Sequence, residues 1–136
     1  MAKALGIGGV FFKSKNPRKL GAWYRKHLGL EVQQWGGAQF QWEQAPKSAR
    51  ERFTVWSPFA SDTRYFAPSR EPYMINFIVD DLEGLIASLL KSRIPIDKKG
   101  IEVSEFGRFA WIIDPEGRKL ELWEPPMRPK ARRKVR

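Results

Sequence analysis

Few side chains of this chain could carry acid–base, nucleophilic or metal chemistry. The sequence has no cysteine, which excludes disulfides, thiolate ligands and cysteine nucleophiles. Its one histidine, His27, falls at the end of a predicted helix, so a Ser-His-Asp arrangement has no support. Asp80 and Asp81 stand where a helix is predicted to begin, and they are better explained as capping residues than as a carboxylate pair. Gly8-Gly9 is too short for a phosphate-binding loop.

The elements that would position functional groups occur twice along the chain. An apolar strand runs into a helix start at 10–17, with Asn16 as the cap, and the same pattern returns at 75–82, where Asp80 or Asp81 is the cap. Asn16 and Asp81 are 65 residues apart in a chain of 136, so each unit is about half of the protein. A fixed repeat of this length predicts a duplicated structural unit.

Each half is predicted to be a β-α-β-β-β module. The modules cover about 4–57 and 73–126, joined by a linker at 58–72, and residues 1–126 are expected to form a single α+β domain. Two βαβββ modules can join their strands into one curved mixed sheet, with the helices on the convex side and a cleft on the concave side. Such a cleft is the usual place for a ligand.

The first helix is predicted at about 17–27, after the Asn16 cap and Pro17 and before Gly29. Its expected buried stripe is Leu20, Trp23, Tyr24 and Leu28, which recur at helical spacing. Strands are expected at 31–35, 38–43 and 52–57, with a tight turn at Gly36-Gly37.

In the second half, a helix is predicted from the Asp80-Asp81 cap to about Ser92. The strand after it could lie at 94–96 or at 101–103. A hairpin at 106–114 and 118–124, turning at Pro115-Glu116-Gly117, completes the module.

The net charge of +10 is distributed unevenly. Residues 127–136 form a basic tail without an acid, and we expect it to be disordered and solubilising. The alternative is a tail that binds nucleic acid or an acidic partner by counterion release. Its cations are Arg128, Lys130, Arg132, Arg133, Lys134 and Arg136. No apolar run approaches the roughly 18 residues of a membrane helix, and the start lacks a signal-peptide core, so we predict a cytoplasmic protein with no membrane partner.

Two motifs resemble the vicinal oxygen chelate superfamily, which includes glyoxalase I, extradiol dioxygenases and bleomycin-resistance proteins. They are Tyr-x-x-x-Leu-Gly-Leu at 24–30, which follows the first helix start, and Asp-Pro-x-Gly-x-x-x-Glu-Leu at 114–122; the run 77–82 also matches. The resemblance implies the two-module fold described above. It also implies a homodimer.

Enzymes of this superfamily hold a divalent ion in the cleft with four side chains, two from each module. The resemblance carries these positions to Gly9, Trp56, Met74 and Glu121. Only Glu121 could bind such an ion, because glycine has no side chain, indole does not coordinate and a thioether is too soft. About three protein ligands are needed. We therefore predict no metal and no other cofactor, and glyoxalase or dioxygenase chemistry through an ion is disfavoured.

Strand alternation from these four positions predicts the lining of the cleft. The predicted lining residues are Phe11, Thr54, Trp56, Met74, Asn76, Lys119, Glu121 and Trp123. They combine large apolar groups with a few polar ones, as small-molecule pockets do. The aromatic residues could instead fill the cleft as core.

Glu121 also has two interpretations. A buried carboxylate could act as a catalytic acid or base with a raised pKa, or it could be a relic that is paired with Lys119, Asn76 or an arginine.

Three functions remain open from the sequence. The first is a metal-free protein that binds a small neutral or anionic, aromatic or apolar molecule, similar to the bleomycin-resistance branch. The second is a lyase, isomerase or dioxygenase type of enzyme that uses Glu121. The third is a protein that binds nucleic acid or an acidic partner through its basic tail.

Overall fold

The structure is a computed structural model that describes residues 2–42 and 50–127. In chain order the elements are β1 Ala4–Ser14, α1 Pro17–Leu28, β2 Ala38–Gln41, β3 Phe53–Ala60, β4 Tyr73–Val79, α2 Leu82–Lys91, β5 Glu102–Ser104, β6 Gly107–Ile113 and β7 Lys119–Glu124. The predicted basic tail, apart from Met127, lies outside the described residues.

The seven strands of the described residues form one mixed sheet in the order β2-β3-β1-β4-β7-β6-β5. The first strand of each module pairs in parallel with the last strand of the same module, β1 with β3 and β4 with β7. The two modules meet where β1 pairs antiparallel with β4. The predicted α+β class and the two-module sheet are thereby confirmed.

Both helices begin at the predicted caps. The Asn16 side chain accepts a hydrogen bond from the Lys19 amide at 3.1 Å, and the Asp81 carboxylate accepts one from the Gly84 amide at 3.1 Å. Asp81, rather than Asp80, is therefore the cap of α2. Gly29 ends α1 with φ of 71°, a left-handed conformation that glycine adopts without steric cost.

The convex face of the second module carries an apolar core. Val79, Leu82, Ala110, Ile112 and Leu122 are buried together between α2 and strands β4, β6 and β7. In strands β4, β6 and β7 these residues alternate with side chains on the concave face, so one face of each of these strands packs against α2.

Helix α1 packs differently from the prediction. Leu20 and Tyr24 are half-buried, but Trp23 is 52% exposed and Leu28 is 61% exposed. The buried residue of α1 is Gly21, where a Cβ would lie 3.4 Å from the Val32 side chain. Tyr24 packs on the sheet, with its ring 4.5 Å from that of Trp56, whereas Trp23 and Leu28 face solvent.

Two predicted element bounds also need correction, and the structure decides between the two alternatives for a third. No strand forms at 31–35, because backbone bonds from Gln33 to Gly37 and from Gly36 to Gln33 close a turn there. Strand β3 runs on to Ala60, into the predicted linker. Of the two candidates after α2, the strand is near the second, at Glu102–Ser104. No helix among the described residues has the length and apolarity needed to cross a bilayer.

Glu124, at the end of β7, connects three parts of the fold. It is only 8% exposed, and its carboxylate accepts a hydrogen bond from the Leu82 amide at the start of α2, at 3.2 Å. Its other oxygen lies 2.7 Å from the Arg50 guanidinium, which in turn donates to the Pro125 carbonyl at 2.8 Å. A carboxylate at a helix N-terminus is favourable both as an acceptor and through the helix dipole.

Replacing Glu124 by Ala should lower the free energy of unfolding by about 1–3 kcal/mol, because a buried amide and a guanidinium lose a charged acceptor. Urea denaturation at neutral pH measures this change. The matched control is Glu83→Ala, which removes another carboxylate near the start of α2 whose side chain is 72% exposed and bonds only at the surface. That control should cost at most about 0.5 kcal/mol. Equal losses in the two variants would contradict the role given to Glu124.

Candidate ligand-binding cleft

The strand register places one row of side chains across the concave face. Val55 lies opposite Gly9, Gly9 opposite Asn76, Asn76 opposite Glu121, and Glu121 opposite Trp111. The row crosses β3, β1, β4, β7 and β6 in turn. Because directly paired residues point to the same face, this row forms the floor of the cleft.

Glu121 is the centre of this floor and is only 2% exposed. One carboxylate oxygen accepts from the Asn76 side-chain amide at 2.6 Å. The other accepts from the Trp111 indole at 2.9 Å and from the Tyr65 hydroxyl. Three donors therefore face one buried acid, which offsets the cost of removing it from water.

Burial raises the pKa of Glu121 above its ordinary range, while the bonds from Tyr65, Asn76 and Trp111 and the nearby charge of Lys119 act in the opposite direction. Burial and the adjacent Glu121 charge raise the pKa of the Tyr65 hydroxyl. Tyr65 thus keeps its proton at neutral pH and acts as the donor of this pair.

Lys119 does not form an ion pair with Glu121 in the described structure. Its ammonium group donates to the Tyr65 carbonyl at 2.8 Å and lies 5.3 Å from the centre of the Tyr65 ring. Burial lowers the pKa of Lys119. Lys119 therefore holds the linker segment that carries Tyr65. It acts on Glu121 as a nearby charge, without a direct hydrogen bond or ion pair.

Two glycines leave room for this arrangement. A Cβ on Gly8 would lie 2.5 Å from the Asn76 side-chain oxygen, and one on Gly9 would lie 2.7 Å from the Phe11 ring. The pairing of β1 with β4 is interrupted between Ile7 and Gly9, so Gly8 is the extra residue of a bulge. The Gly8-Gly9 pair therefore serves close packing in the cleft floor.

Aromatic side chains form the walls above the floor. The Phe109 and Trp123 rings are parallel within 7° at 5.8 Å, and Phe53 meets Trp123 edge-on at 5.3 Å. They enclose a cavity of about 460 Å³. Its lining consists of Phe11, Trp35, Gln39, Phe53, Val55, Asn76, Phe106, Phe109, Glu121 and Trp123.

Four of the predicted lining residues, Phe11, Asn76, Glu121 and Trp123, lie at this cavity. Met74 and Lys119 share the concave face but lie beyond its end, where Met74 packs against Phe66 and Trp111 beneath the linker. The prediction that these two residues line the cleft is corrected accordingly.

Thr54 and Trp56 were assigned to the wrong face of β3. Trp56 packs on α1, with its ring 4.5 Å from that of Tyr24, and the Thr54 hydroxyl donates to the Ile7 carbonyl and accepts from the Trp42 indole. Their places in the cleft are taken by Phe53 and Val55. The error follows from the 65-residue offset between helix caps, since Val55 and Glu121, which occupy equivalent places in the two modules, are 66 residues apart.

The predicted lining did not include Tyr65, Trp111 and Phe109. The alternation of Phe109, Trp111 and Ile113 with Ala110 and Ile112 in β6 contains the signal for the strand residues, once one of them is assigned to a face. No local pattern of this kind marks Tyr65, which reaches Glu121 from the linker.

The donor set does not fit a divalent ion of the kind that the superfamily holds. By strand register, the four equivalent positions are Gly9, Val55, Asn76 and Glu121, so Val55 and Asn76 replace the predicted Trp56 and Met74. Only Asn76 and Glu121 carry a side-chain oxygen, and both Glu121 oxygens already accept hydrogen bonds. Within residues 2–42 and 50–127, no three His, Asp or Glu side chains are grouped as metal ligands. His27 is exposed on α1, beside Trp23.

The raised pKa of Glu121 predicts a pH-dependent stability. The folded state keeps a proton that the unfolded chain loses near pH 4.5, so the free energy of unfolding should fall as pH rises above that value. The slope can reach at most about 1.4 kcal/mol per pH unit. Glu121→Gln should remove this slope in urea titrations between about pH 4.5 and 7.5.

Glu105→Gln, at an exposed position, is the control for this measurement and should keep the wild-type slope. Lys119 and Asp114 also have pKa values shifted downward, but both residues are retained in the wild type and in the two variants, so the comparison isolates the contribution of Glu121. A wild-type curve parallel to that of Glu121→Gln would show that the pKa of Glu121 is not raised.

The mismatch with a metal ion predicts that Mn²⁺, Ni²⁺ or Zn²⁺ at about tenfold molar excess leaves the melting temperature unchanged, because an ion that binds only the folded state would raise it. Differential scanning fluorimetry of chelator-treated protein checks this. A rise in melting temperature that is absent in Glu121→Gln would overturn the assignment.

Similarity to known proteins is found among solved structures. Neither protein-family models nor curated protein sequences gave a match. Among solved structures, methylmalonyl-CoA epimerase from Mycobacterium tuberculosis is similar at 16% identity, with 93% of this chain and 91% of that chain covered and a TM-score of 0.62. A variant of the Streptomyces coelicolor methylmalonyl-CoA epimerase in complex with 2-nitronate-propionyl-CoA has a TM-score of 0.64 at 14% identity, covering 90% and 99% of the two chains.

A third similar structure, described as an NAD-dependent benzaldehyde dehydrogenase from Legionella pneumophila, has a TM-score of 0.57 at 17% identity, covering 87% of this chain and 98% of that one. At these identities the similarity establishes the fold alone. With its two modules joined through β1 and β4 around a central cleft, the chain has the vicinal oxygen chelate fold that its sequence motifs predicted.

Proposed function

We propose that the protein binds a small, planar, neutral aromatic or apolar molecule in the concave cleft. The observation that carries the proposal is the apolar cavity of about 460 Å³ with the parallel Phe109 and Trp123 rings in its wall. Ligand pockets commonly have volumes of this order and combine apolar walls with a few polar groups. A planar ligand would gain both apolar burial and ring stacking here.

The charge of the lining favours a neutral ligand. Among the described lining residues, Glu121 is the only ionisable side chain, and no Lys or Arg faces the cavity. An anionic ligand, the other part of the sequence-based expectation, would gain no ion pair and would meet the Glu121 carboxylate. Asn76 and Gln39 supply amide groups that can orient a ligand through hydrogen bonds.

Calorimetric titration with three probes of one shape tests this proposal. We expect 2-naphthol to bind more tightly than 2-naphthoate, because the anion lacks a cationic partner in the cleft. A (2-naphthylmethyl)ammonium probe detects whether Glu121 attracts a cation instead. Tightest binding of the anion would contradict the proposed charge preference.

Two substitutions in the cleft should weaken 2-naphthol binding. Phe109→Leu removes the ring stacked on Trp123, which predicts a loss of about 2- to 12-fold. Val55→Phe places a larger side chain on the cleft floor and should block the site. The matched control is Phe40→Leu, at a 50% exposed position of β2 outside the cavity lining, and it should bind as the wild type does. Equal binding by Phe109→Leu, Val55→Phe and Phe40→Leu would exclude the cleft as the site.

Native mass spectrometry of freshly purified protein complements these titrations. A small-molecule excess that disappears in Val55→Phe would support the proposal and report the mass of the natural ligand. The same spectrum reports whether the chain forms the homodimer that the family resemblance implies.

A second candidate function is acid–base catalysis by Glu121. It is favoured by the position of this carboxylate at the cavity and by the burial that raises its pKa. The three donors on its oxygens support the binding function instead, because they occupy the acceptor positions that a general base would use.

Deuterium exchange into methylmalonyl-CoA in D₂O, followed by NMR, tests the catalytic candidate on the substrate of two structural neighbours. Exchange that is lost in folded Glu121→Gln would support catalysis. Exchange at the uncatalysed rate would leave this substrate class without support.

A further inference from the structure

Helix α1 presents an exposed aromatic and basic surface on the convex side of the protein. Four residues, Lys19, Trp23, Lys26 and His27, recur at three- and four-residue spacing, so they lie along one side of α1. Lys15 precedes the helix and lines the same surface depression as Lys19 and Trp23. All five are exposed, and Trp23 is 52% exposed. We call these five residues the α1 surface. Its helical part, from Lys19 to His27, spans about 12 Å at 1.5 Å per residue.

The Trp23 ring contacts two other rings of α1. Its centre lies 4.9 Å from the His27 ring and 5.4 Å from the Tyr24 ring. A surface depression of about 560 Å³ adjoins it, lined by Ser14, Lys15, Asn16, Lys19, Leu20, Trp23 and Tyr24. A large aromatic group that is exposed beside cations, rather than buried, provides a platform for another flat group.

The charge around the α1 surface has one sign. Residues 1–30 contain seven Lys and Arg and no Asp or Glu, whereas residues 73–126 contain ten acids and seven bases. In the described part of the chain, the ion pairs all use acids of the second module, and none involves Lys15, Lys19 or Lys26. These lysines are therefore available to an anionic partner.

We propose that the α1 surface binds a single-stranded polynucleotide, with Trp23 stacking on a base and Lys15, Lys19 and Lys26 contacting phosphates. Interleaved aromatic and basic side chains are the features by which proteins bind single strands without sequence preference. A second copy of this chain would bring like charges together. A lipid surface favours a helix whose apolar side is separate from its cations, whereas here Trp23 lies between lysines.

Fluorescence anisotropy with a labelled oligo(dT) of about 15 nucleotides tests the proposal on the full chain. Trp23→Ala should weaken binding by about 5- to 150-fold, because stacking on one base is lost, while Trp23→Phe should restore part of the affinity. Lys19→Gln with Lys26→Gln should reduce the slope of log K against log salt by about 1.4. Lys91→Gln, an exposed lysine on α2, is the control and should leave binding unchanged.

The alternatives predict different results in the same assay. Wild-type affinity in Trp23→Ala, together with loss of binding in Arg132→Gln with Arg133→Gln, would overturn the proposal in favour of the basic tail. Competition by heparin that is equally strong against wild type and Trp23→Ala would reduce the surface to an unspecific polyanion site. Binding to phosphatidylserine vesicles but not to oligo(dT) would assign the surface to membranes. Circular dichroism confirms that Trp23→Ala and Trp23→Phe remain folded.

Discussion

The buried carboxylate of Glu121 is the interaction on which the cleft depends. An acid that is 2% exposed must be surrounded by donors, because the cost of an unpaired buried charge is large compared with the total stability of a small domain. Asn76, Trp111 and Tyr65 supply these donors from β4, β6 and the linker. The path of the linker over the end of the sheet is thus tied to one side chain in β7.

The hydrogen bonding of Glu121 also constrains the first module, at Gly8 and Gly9. Asn76 can donate to Glu121 only if its side chain has space beside β1, and the bulge with Gly8 and Gly9 provides that space. At the four positions to which the family resemblance carries metal ligands, this chain has Gly9 and Val55 on one side and a hydrogen-bonded Asn76–Glu121 pair on the other. The floor is therefore polar in the second module and open and apolar in the first.

The distribution of charged residues also differs between the two modules. The ion pairs of the described residues stabilise the second module and its junction with Arg50, while the first thirty residues carry cations only. The cleft and the α1 surface lie on opposite faces of the sheet. An apolar site on the concave face and a basic, aromatic surface on the convex face can thus coexist without sharing a residue.

Much of the fold follows from local sequence. The repeated strand and helix start, the caps Asn16 and Asp81 and the final hairpin depend on side-chain chemistry within a few residues, so they could be predicted without a structure. The sequence also determined that the position of Gly9 cannot hold an ion, because a glycine has no side chain in any fold.

The details of the site depended on long-range geometry. In a strand, a shift of one residue moves every side chain to the other face. The offset of 65 residues between the helix caps therefore predicted Thr54 and Trp56 in the cleft, whereas the observed offset of 66 residues places Phe53 and Val55 there. The bulge in β1 cannot be located from composition. Tertiary packing likewise decided the approach of Tyr65 to Glu121, because these residues are distant in the sequence. It also decided the outward orientation of Trp23, which depends on the side of α1 that meets the sheet.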